Sequence, residues 1–440
     1  MPHLPNPTQF VQWFREVAPY VHAFGGRTFV VGFSGEVVAG RGFSKLVHDF
    51  NLLAALGIRL VLVHGARPQI DVQMRSASLK TQYVRGIRVT DEQALASVKQ
   101  ASGQVRVEIE ALLSMGLANS PMANADIRVA SGNFVTARPR GVVDGVDMCY
   151  TGEVRKVDAD AINIRLDDGE LVLLSPLGYS PTGEIFNLTL EDVAAQTAIA
   201  LGAEKLVFLM NEPGLKGKSG RLLRELTVSD AEKLLRKEPS LSDDAKLYLP
   251  HAINACKGGA VRVHMISRHA DGALLLELFT HEGIGSMLTR DPLELLREAT
   301  IEDVGGILRL IEPLEADGTL VKRSRERLEI EIARFSVLEH DKVIVGCAAL
   351  NPFPSERSAE LACVVVHPDY RDFGAGEQLL KWIEEKAKKQ RVKRLFVLTT
   401  RAAHWFIEHG FVETGVDSLP KQKQALYNYQ RRSKVLLKSI

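Results

Sequence analysis

Residues 360–380 read E-L-A-C-V-V-V-H-P-D-Y-R-D-F-G-A-G-E-Q-L-L. The β-branched run Val364, Val365 and Val366, closed by His367-Pro368, predicts a buried strand. Beyond it Leu379, Leu380, Ile383 and Ala387 recur at helical spacing, with Lys381, Glu384, Glu385 and Lys388 on the opposite face, so residues 377–389 form an amphipathic helix. Arg371-Asp372-Phe373-Gly374-Ala375-Gly376 is then a strand-to-helix turn in which Gly374 and Gly376 let the backbone close on a ligand with no Cβ in the way. The amides of such a turn and the helix N-terminus attract an anion such as a pyrophosphate. The glycine spacing by itself suits a plain left-handed turn equally well.

The stretch resembles the acetyl-CoA motif of the GNAT acetyltransferases, Arg/Gln-x-x-Gly-x-Gly/Ala, with Arg371, Gly374 and Gly376 in its three slots. The resemblance implies that the strand Val364-Val365-Val366 splays from its neighbour and that amides of Val364 and Val366 hold the pantetheine arm. Arg371, Gly374, Ala375 and Gly376 would then cradle the pyrophosphate of acetyl-CoA, the expected co-substrate.

A chain of 440 residues with 45% hydrophobic and 25% charged residues suits two or three domains with large cores. A formal charge of +1 gives no global attraction to nucleic acid or to a membrane surface. The N-terminus, Met1-Pro2-His3-Leu4-Pro5-Asn6-Pro7, lacks the charged-then-apolar order of a signal peptide, and no apolar run reaches about 18 residues, so a cytoplasmic location is expected. Cys149, Cys256, Cys347 and Cys363 are far apart with no C-x-x-C pair, so neither a disulfide framework nor a metal site is expected.

Phe10, Trp13, Phe14, Val17 and Val21 form the stripe of a helix before the first strand. Strands are expected at 28–33, 58–63, 171–174 and 205–209, helices at 43–56, 91–115 and 190–201, and a hairpin about Asp167-Asp168-Gly169. This β-α-β order predicts a mostly parallel sheet covered by helices, an α/β fold.

The segment is similar to the amino acid kinase fold, and to acetylglutamate kinase in particular, through Gly32-Phe33-Ser34-Gly35-Glu36, His64-Gly65-Ala66-Arg67-Pro68-Gln69-Ile70, Ser131-Gly132-Asn133-Phe134, Asn187-Leu188-Thr189 and Glu282-Gly283-Ile284-Gly285. Two family lysines are missing: Gly32 stands at the first position and His251 at the second. Phosphoryl transfer relies on positioned positive charge, so the departures imply a fold that has lost kinase activity. Arginine-sensitive members of that family carry the extra N-terminal helix and the late segment Glu277-Leu278-Phe279-Thr280. The resemblance implies an allosteric L-arginine site built from Tyr20, Lys205, Glu277 and Gly283, with Glu277 on the guanidinium and Lys205 on the α-carboxylate.

Around Asp291-Pro292 the organisation changes, giving an amino acid kinase-like domain over 1–287, a linker over 288–293 and a GNAT domain over 294–440. In the second, a strand, two helices and the strands 335–338 and 343–350 precede the glycine-loop strand. The pair of domains resembles bacterial, fused N-acetylglutamate synthase, and Leu398-Thr399-Thr400-Arg401, His404-Trp405-Phe406, His409-Gly410-Phe411 and the run 427–436 extend the likeness. The family implies transfer from acetyl-CoA to L-glutamate at the start of arginine synthesis, feedback inhibition by L-arginine, and a hexamer. It places Arg323 and Arg431 on the substrate carboxylates, completes the pocket with the backbone of Cys363 and the hydroxyl of Thr399, and makes Glu360 the base. The leaving thiolate has two candidate acids, Thr399 and Tyr427. Alternatives of other classes are an acetyltransferase for another amine with a sensing domain, an arginine-binding regulator without activity, and a surviving kinase.

Overall fold

The computed structural model describes residues 6–116, 120–217, 219–237, 241–280 and 283–440, and divides into two compact units, Met1–Asp291 and Pro292–Ile440. Glu282, part of the quoted kinase-like motif, lies outside the described residues.

The first unit is built on an eight-stranded sheet. Its strands are β1 (Thr28–Phe33), β2 (Arg59–His64), β3 (Val129–Ala130), β4 (Leu171–Leu174), β5 (Lys205–Met210), β6 (Glu225–Thr227), β7 (Arg262–Ser267) and β8 (Ser286–Thr289), in the order β6-β8-β7-β5-β1-β2-β4-β3. All neighbours are parallel except β7 and β8. β1 and β5 are buried along their whole length, which is why they read as apolar runs after Thr28 and Lys205. One helix set, α1 (Pro7–Phe24), α2 (Phe43–Ala55), α3 (Arg67–Ser76) and α4 (Glu92–Leu113), packs its apolar side into the core with Phe29, Val31 and Phe33. The opposite core, around Val30, Leu206 and Phe208, is closed by α5 (Leu190–Ala200) and α6 (Asp243–Gly258). A short helix, α7 (Ala273–Phe279), follows β7.

The caps explain most boundaries. Asp91 accepts from Ala94 N at 2.8 Å to start α4, Thr189 accepts from Asp192 N to start α5, and Ser242 from Ala245 N to start α6. Asp167-Asp168-Gly169 is a helix end and not the expected hairpin: Ala159–Asp167 is helical, with Ile162 and Leu166 buried one turn apart, and Gly169 takes the positive φ of the turn into β4. The expected linker also begins too early, since Leu288 and Thr289 pair with Val263 and Arg262 inside the sheet.

The second unit is a seven-stranded sheet of β9 (Glu294–Glu298), β10 (Phe335–His340), β11 (Val343–Phe353), β12 (Ser358–Val366), β13 (Arg394–Thr399), β14 (Val412–Thr414) and β15 (Lys434–Ser439), ordered β9-β10-β11-β12-β13-β15-β14. Only β12 and β13 run parallel. Its helices include α8 (Val304–Ala316), α9 (Arg325–Glu331), α10 (Ala375–Lys389) and α11 (Lys421–Ala425), with a short further helix at Ala403–Glu408. Ile307 and Ile311 of α8 pack against one face of the sheet, and Leu379, Leu380 and Ile383 of α10 against the other.

The sheet is pinned to the start of α8 by charge. Arg297 on β9 donates to both oxygens of Asp303, at 2.7 and 2.8 Å, and to Glu339 at 2.7 Å, while Asp303 closes a capping box with Thr300. The guanidinium holds the Asp303 carboxyl down at about 2. A depressed carboxylate stabilises the fold above its unfolded value near 3.8, and that share is lost as pH falls toward 2. Arg297→Met is therefore expected to destabilise this unit by about 2–3 kcal/mol at neutral pH. The loss should shrink as pH drops below 4, which urea unfolding at a series of pH values would check.

Candidate active and ligand sites

The acetyl-transfer candidates gather where the second sheet forks. β12 pairs with β13 only through Ser358, Ala359 and Glu360, which meet Arg394, Leu395 and Phe396; from Leu361 onward no register partner on β13 is described. On the other side β12 carries a bulge. Ala362 pairs with Ala349 and Val365 with Cys347, so Cys363 and Val364 together oppose one residue, and Cys363 takes a φ of 51°. The strand containing Val364, Val365 and Val366 thus leaves its neighbour, and Glu360 stands at the apex of the fork.

Glu360 is buried, and its carboxylate is not alone. Lys423 Nζ lies 2.7 Å from each carboxylate oxygen, and Asn351 Nδ2, on the residue directly across β11, is 3.4 Å from Oε2. Cys363 turns its carbonyl to the Cys347 thiol at 3.6 Å. A hydrogen bond from Cys347 holds the Cys363 thiol below its ordinary value against the effect of burial, and the nearby charge of Arg323 assists. Arg323 Nη1 donates to Val321 O at 3.3 Å, and Arg431 Nη2 donates to Gly318 O at 3.2 Å and to Thr319 O. Among the described residues neither guanidinium is paired with a carboxylate, so both retain charge for an anionic ligand.

Thr399 ends β13 and accepts from Arg401 N at 3.3 Å and Ala402 N at 2.9 Å, an arrangement that leaves its hydroxyl proton free to be donated. Tyr427 instead commits its hydroxyl proton to Ser433 O at 2.6 Å. In the loop after β12, Arg371 Nε donates to Val366 O at 3.2 Å, and Gly374 has the αL conformation (φ 78°) at the start of α10, which begins at Ala375. Gly376 lies in the first turn of α10. Its missing Cβ also leaves room for Trp405, whose ring would lie 3.1 Å from one.

The arginine-site candidates gather in the first unit. Lys205 Nζ, at the start of β5, is 3.1 Å from His264 Nε2, and His264 Nδ1 is 2.7 Å from Glu277 Oε1. Glu277 Oε2 accepts from Ile284 N at 2.7 Å and Gly285 N at 2.8 Å. Gly283 passes so close that a Cβ there would sit 2.6 Å from this same oxygen, at a φ of 58°. Burial and the charge of Lys205 push His264 down to about 4, so at neutral pH a neutral ring bridges a cation and a carboxylate. Burial opposes the charge of Glu277, yet His264 and the two amides keep its carboxyl below the ordinary range. Tyr20 packs edge-on to Phe279 at 6.4 Å, and Lys205 Nζ lies 5.0 Å above the Phe24 ring, so α1 borders the cluster. The Glu277 oxygens take three hydrogen bonds, from His264 and from the amides of Ile284 and Gly285, which fix the direction of the carboxylate.

A cleft beside β1 is lined by Ser34, Gly35, Arg67, Asn187, Glu191 and Tyr248. At Gly32 a Cβ would meet the Phe208 side chain at 3.1 Å and that of Ala194 at 3.3 Å, so a larger residue would have to displace them. His251 is held below its ordinary value by burial and brings no charge at neutral pH.

Residues 27–267 match the model of the amino acid kinase family, and residues 307–411 that of the acetyltransferase (GNAT) family. Amino-acid acetyltransferase from Ralstonia nicotianae is 54% identical over 440 residues, covering 100% of this chain and 97% of the relative. The chain belongs to the amino-acid acetyltransferase family. The family's protein from Edwardsiella ictaluri is 50% identical over 98% of this chain and 99% of its own. N-acetylglutamate synthase from Neisseria gonorrhoeae, solved with coenzyme A and L-arginine, is 40% identical over 98% of this chain and 99% of its own, with a TM-score of 0.89. The same synthase solved with coenzyme A and N-acetyl-glutamate matches with a TM-score of 0.63. This chain is thus an acyltransferase acting on an amino acid, with an amino acid kinase fold joined to a GNAT fold.

Proposed function

We propose that the chain is an N-acetylglutamate synthase, transferring the acetyl group of acetyl-CoA to the α-amine of L-glutamate under inhibition by L-arginine. The observation that carries the reading is the fork in the sheet, with the carboxylate of Glu360 at its apex and Arg323 and Arg431 free of carboxylate partners among the described residues. A substrate with two carboxylates and one amine suits two guanidiniums and one base. The complexes of the Neisseria gonorrhoeae synthase support the same assignment.

In the proposed reaction Glu360, directly or through water, removes a proton from the substrate ammonium. The nitrogen attacks the thioester carbon, and amides of β12 stabilise the oxyanion. The C–S bond breaks, and the thiolate takes a proton; of the two candidate donors Thr399 keeps its hydroxyl proton uncommitted, whereas Tyr427 gives its own to Ser433 O. Arg371, Gly374 and the N-terminus of α10 would hold the pyrophosphate of acetyl-CoA. Arginine would bind in the first unit at Tyr20, Lys205, Glu277 and Gly283. The exposed apolar residues Phe10, Val11, Trp13 and Phe14 of α1 offer a surface for the hexamer that we propose.

Incubating the chain with acetyl-CoA and each protein amino acid in turn, while following free thiol, tests the reading. Release that depends on glutamate supports it, and release with a different amine alone would replace it. Arg323→Ala and Arg431→Ala should each raise KM for glutamate by about tenfold or more, the worth of a charged hydrogen bond. Their KM for acetyl-CoA should change little, and equal effects on both substrates would remove the arginines from the glutamate pocket.

A further inference from the structure

We propose that Lys423 is a positioning residue for Glu360, making the proton acceptor of this reaction a two-residue unit; the inference rests on the reading of Glu360 as base. The ammonium is 2.7 Å from both carboxylate oxygens, and the two side chains are only 22% and 10% exposed. A buried charged group needs a partner to offset its lost hydration. Ion pairs at this depth add little net stability, because desolvation offsets the attraction, so stability alone does not account for a lysine here.

The lysine is also held in place. The five-residue helix α11 receives the carboxylate of Glu356 on Lys421 N at 3.0 Å, and Gln424 Nε2 donates to Asp417 O at 3.0 Å and Leu419 O at 2.8 Å. Leu419, just before α11, packs in a small core with Phe396, and Phe396 is the register partner of Glu360 across the fork. The base and its counter-ion are therefore fixed to the same level of the sheet from stretches 63 residues apart. Lys423 and Asn351 leave acceptor capacity on the carboxylate for a water or an amine.

Steady-state kinetics of the full chain test this with Lys423→Met, Lys423→Arg, Glu360→Gln and the double variant Lys423→Met/Glu360→Gln. Lys423→Met should lower kcat by roughly tenfold to hundredfold with little change in either KM, as expected for a misplaced catalytic group. Lys423→Arg should restore most of the loss. In the Glu360→Gln background the methionine should cost almost nothing further, since the pair acts as one. Lys423→Gln, which keeps a polar tip, is measured alongside so that a packing defect of the methionine variant does not decide the outcome. Wild-type kcat in both neutral variants, beside an inactive Glu360→Gln, would overturn the inference and leave Glu360 as base. A higher KM for glutamate at unchanged kcat would make Lys423 a substrate ligand and also overturn it. An active Glu360→Gln would instead remove the reading on which the inference stands.

Discussion

Glu360→Gln is expected to lower kcat at neutral pH by about 10²–10⁴-fold, the usual worth of a general base. The amide keeps the length and most of the shape of the carboxylate, so the change removes proton uptake more than it disturbs the fork. Binding of acetyl-CoA, measured by calorimetry on the same variant, should be close to wild type, because the expected cofactor contacts lie downstream at 364–376. Turnover equal to wild type would take the base away from Glu360 and leave the substrate amine to lose its proton to solvent.

Glu277→Gln is expected to weaken L-arginine binding to the full chain by about 10²- to 10³-fold, as for other truncated partners of a buried charge pair. The carboxylate is aimed by His264 and by the amides of Ile284 and Gly285. The variant therefore loses both the negative charge and one of the acceptors that order the turn at Gly283. Inhibition should weaken in step with binding, since a ligand shifts an equilibrium only by its differential affinity for the two states. Arginine that binds the variant as tightly as wild type, or that acts only by raising KM for glutamate, would place its effect elsewhere.

Much of the fold was legible because its signals are local. The runs at 28–33, 171–174 and 205–210 are apolar apart from Thr28 and Lys205 at their starts, as suits strands buried on both faces, and Asp91, Thr189 and Ser242 mark helix starts with side chains that reach their own backbone. Asp167-Asp168-Gly169 is ambiguous because an acidic pair before glycine ends a helix as readily as it turns a hairpin; the four-residue spacing of Ile162 and Leu166 decides for the helix.

The sites were legible in part. Their named members follow from family likeness, whereas the residues that orient them depend on distant pairing. Lys423 lies in the polar run Lys421-Gln422-Lys423-Gln424, which carries no mark of its partner far upstream. His264 left a fainter trace, a polar residue between Val263 and Met265 in a strand buried on both sides. A neutral imidazole in such a place requires two polar partners, and Lys205 and Glu277 supply them.

The early end of the β12–β13 pairing has a consequence for solubility. A strand that loses its neighbour midway creates an edge inside the sheet, with main-chain groups presented to whatever extended chain arrives. A pantetheine arm lying along that edge would satisfy the same groups by strand addition. Binding the acetyl donor would then do for this unit what a capping strand does for other sheets: close a seam open to a second copy, and make the loaded enzyme the less aggregation-prone form.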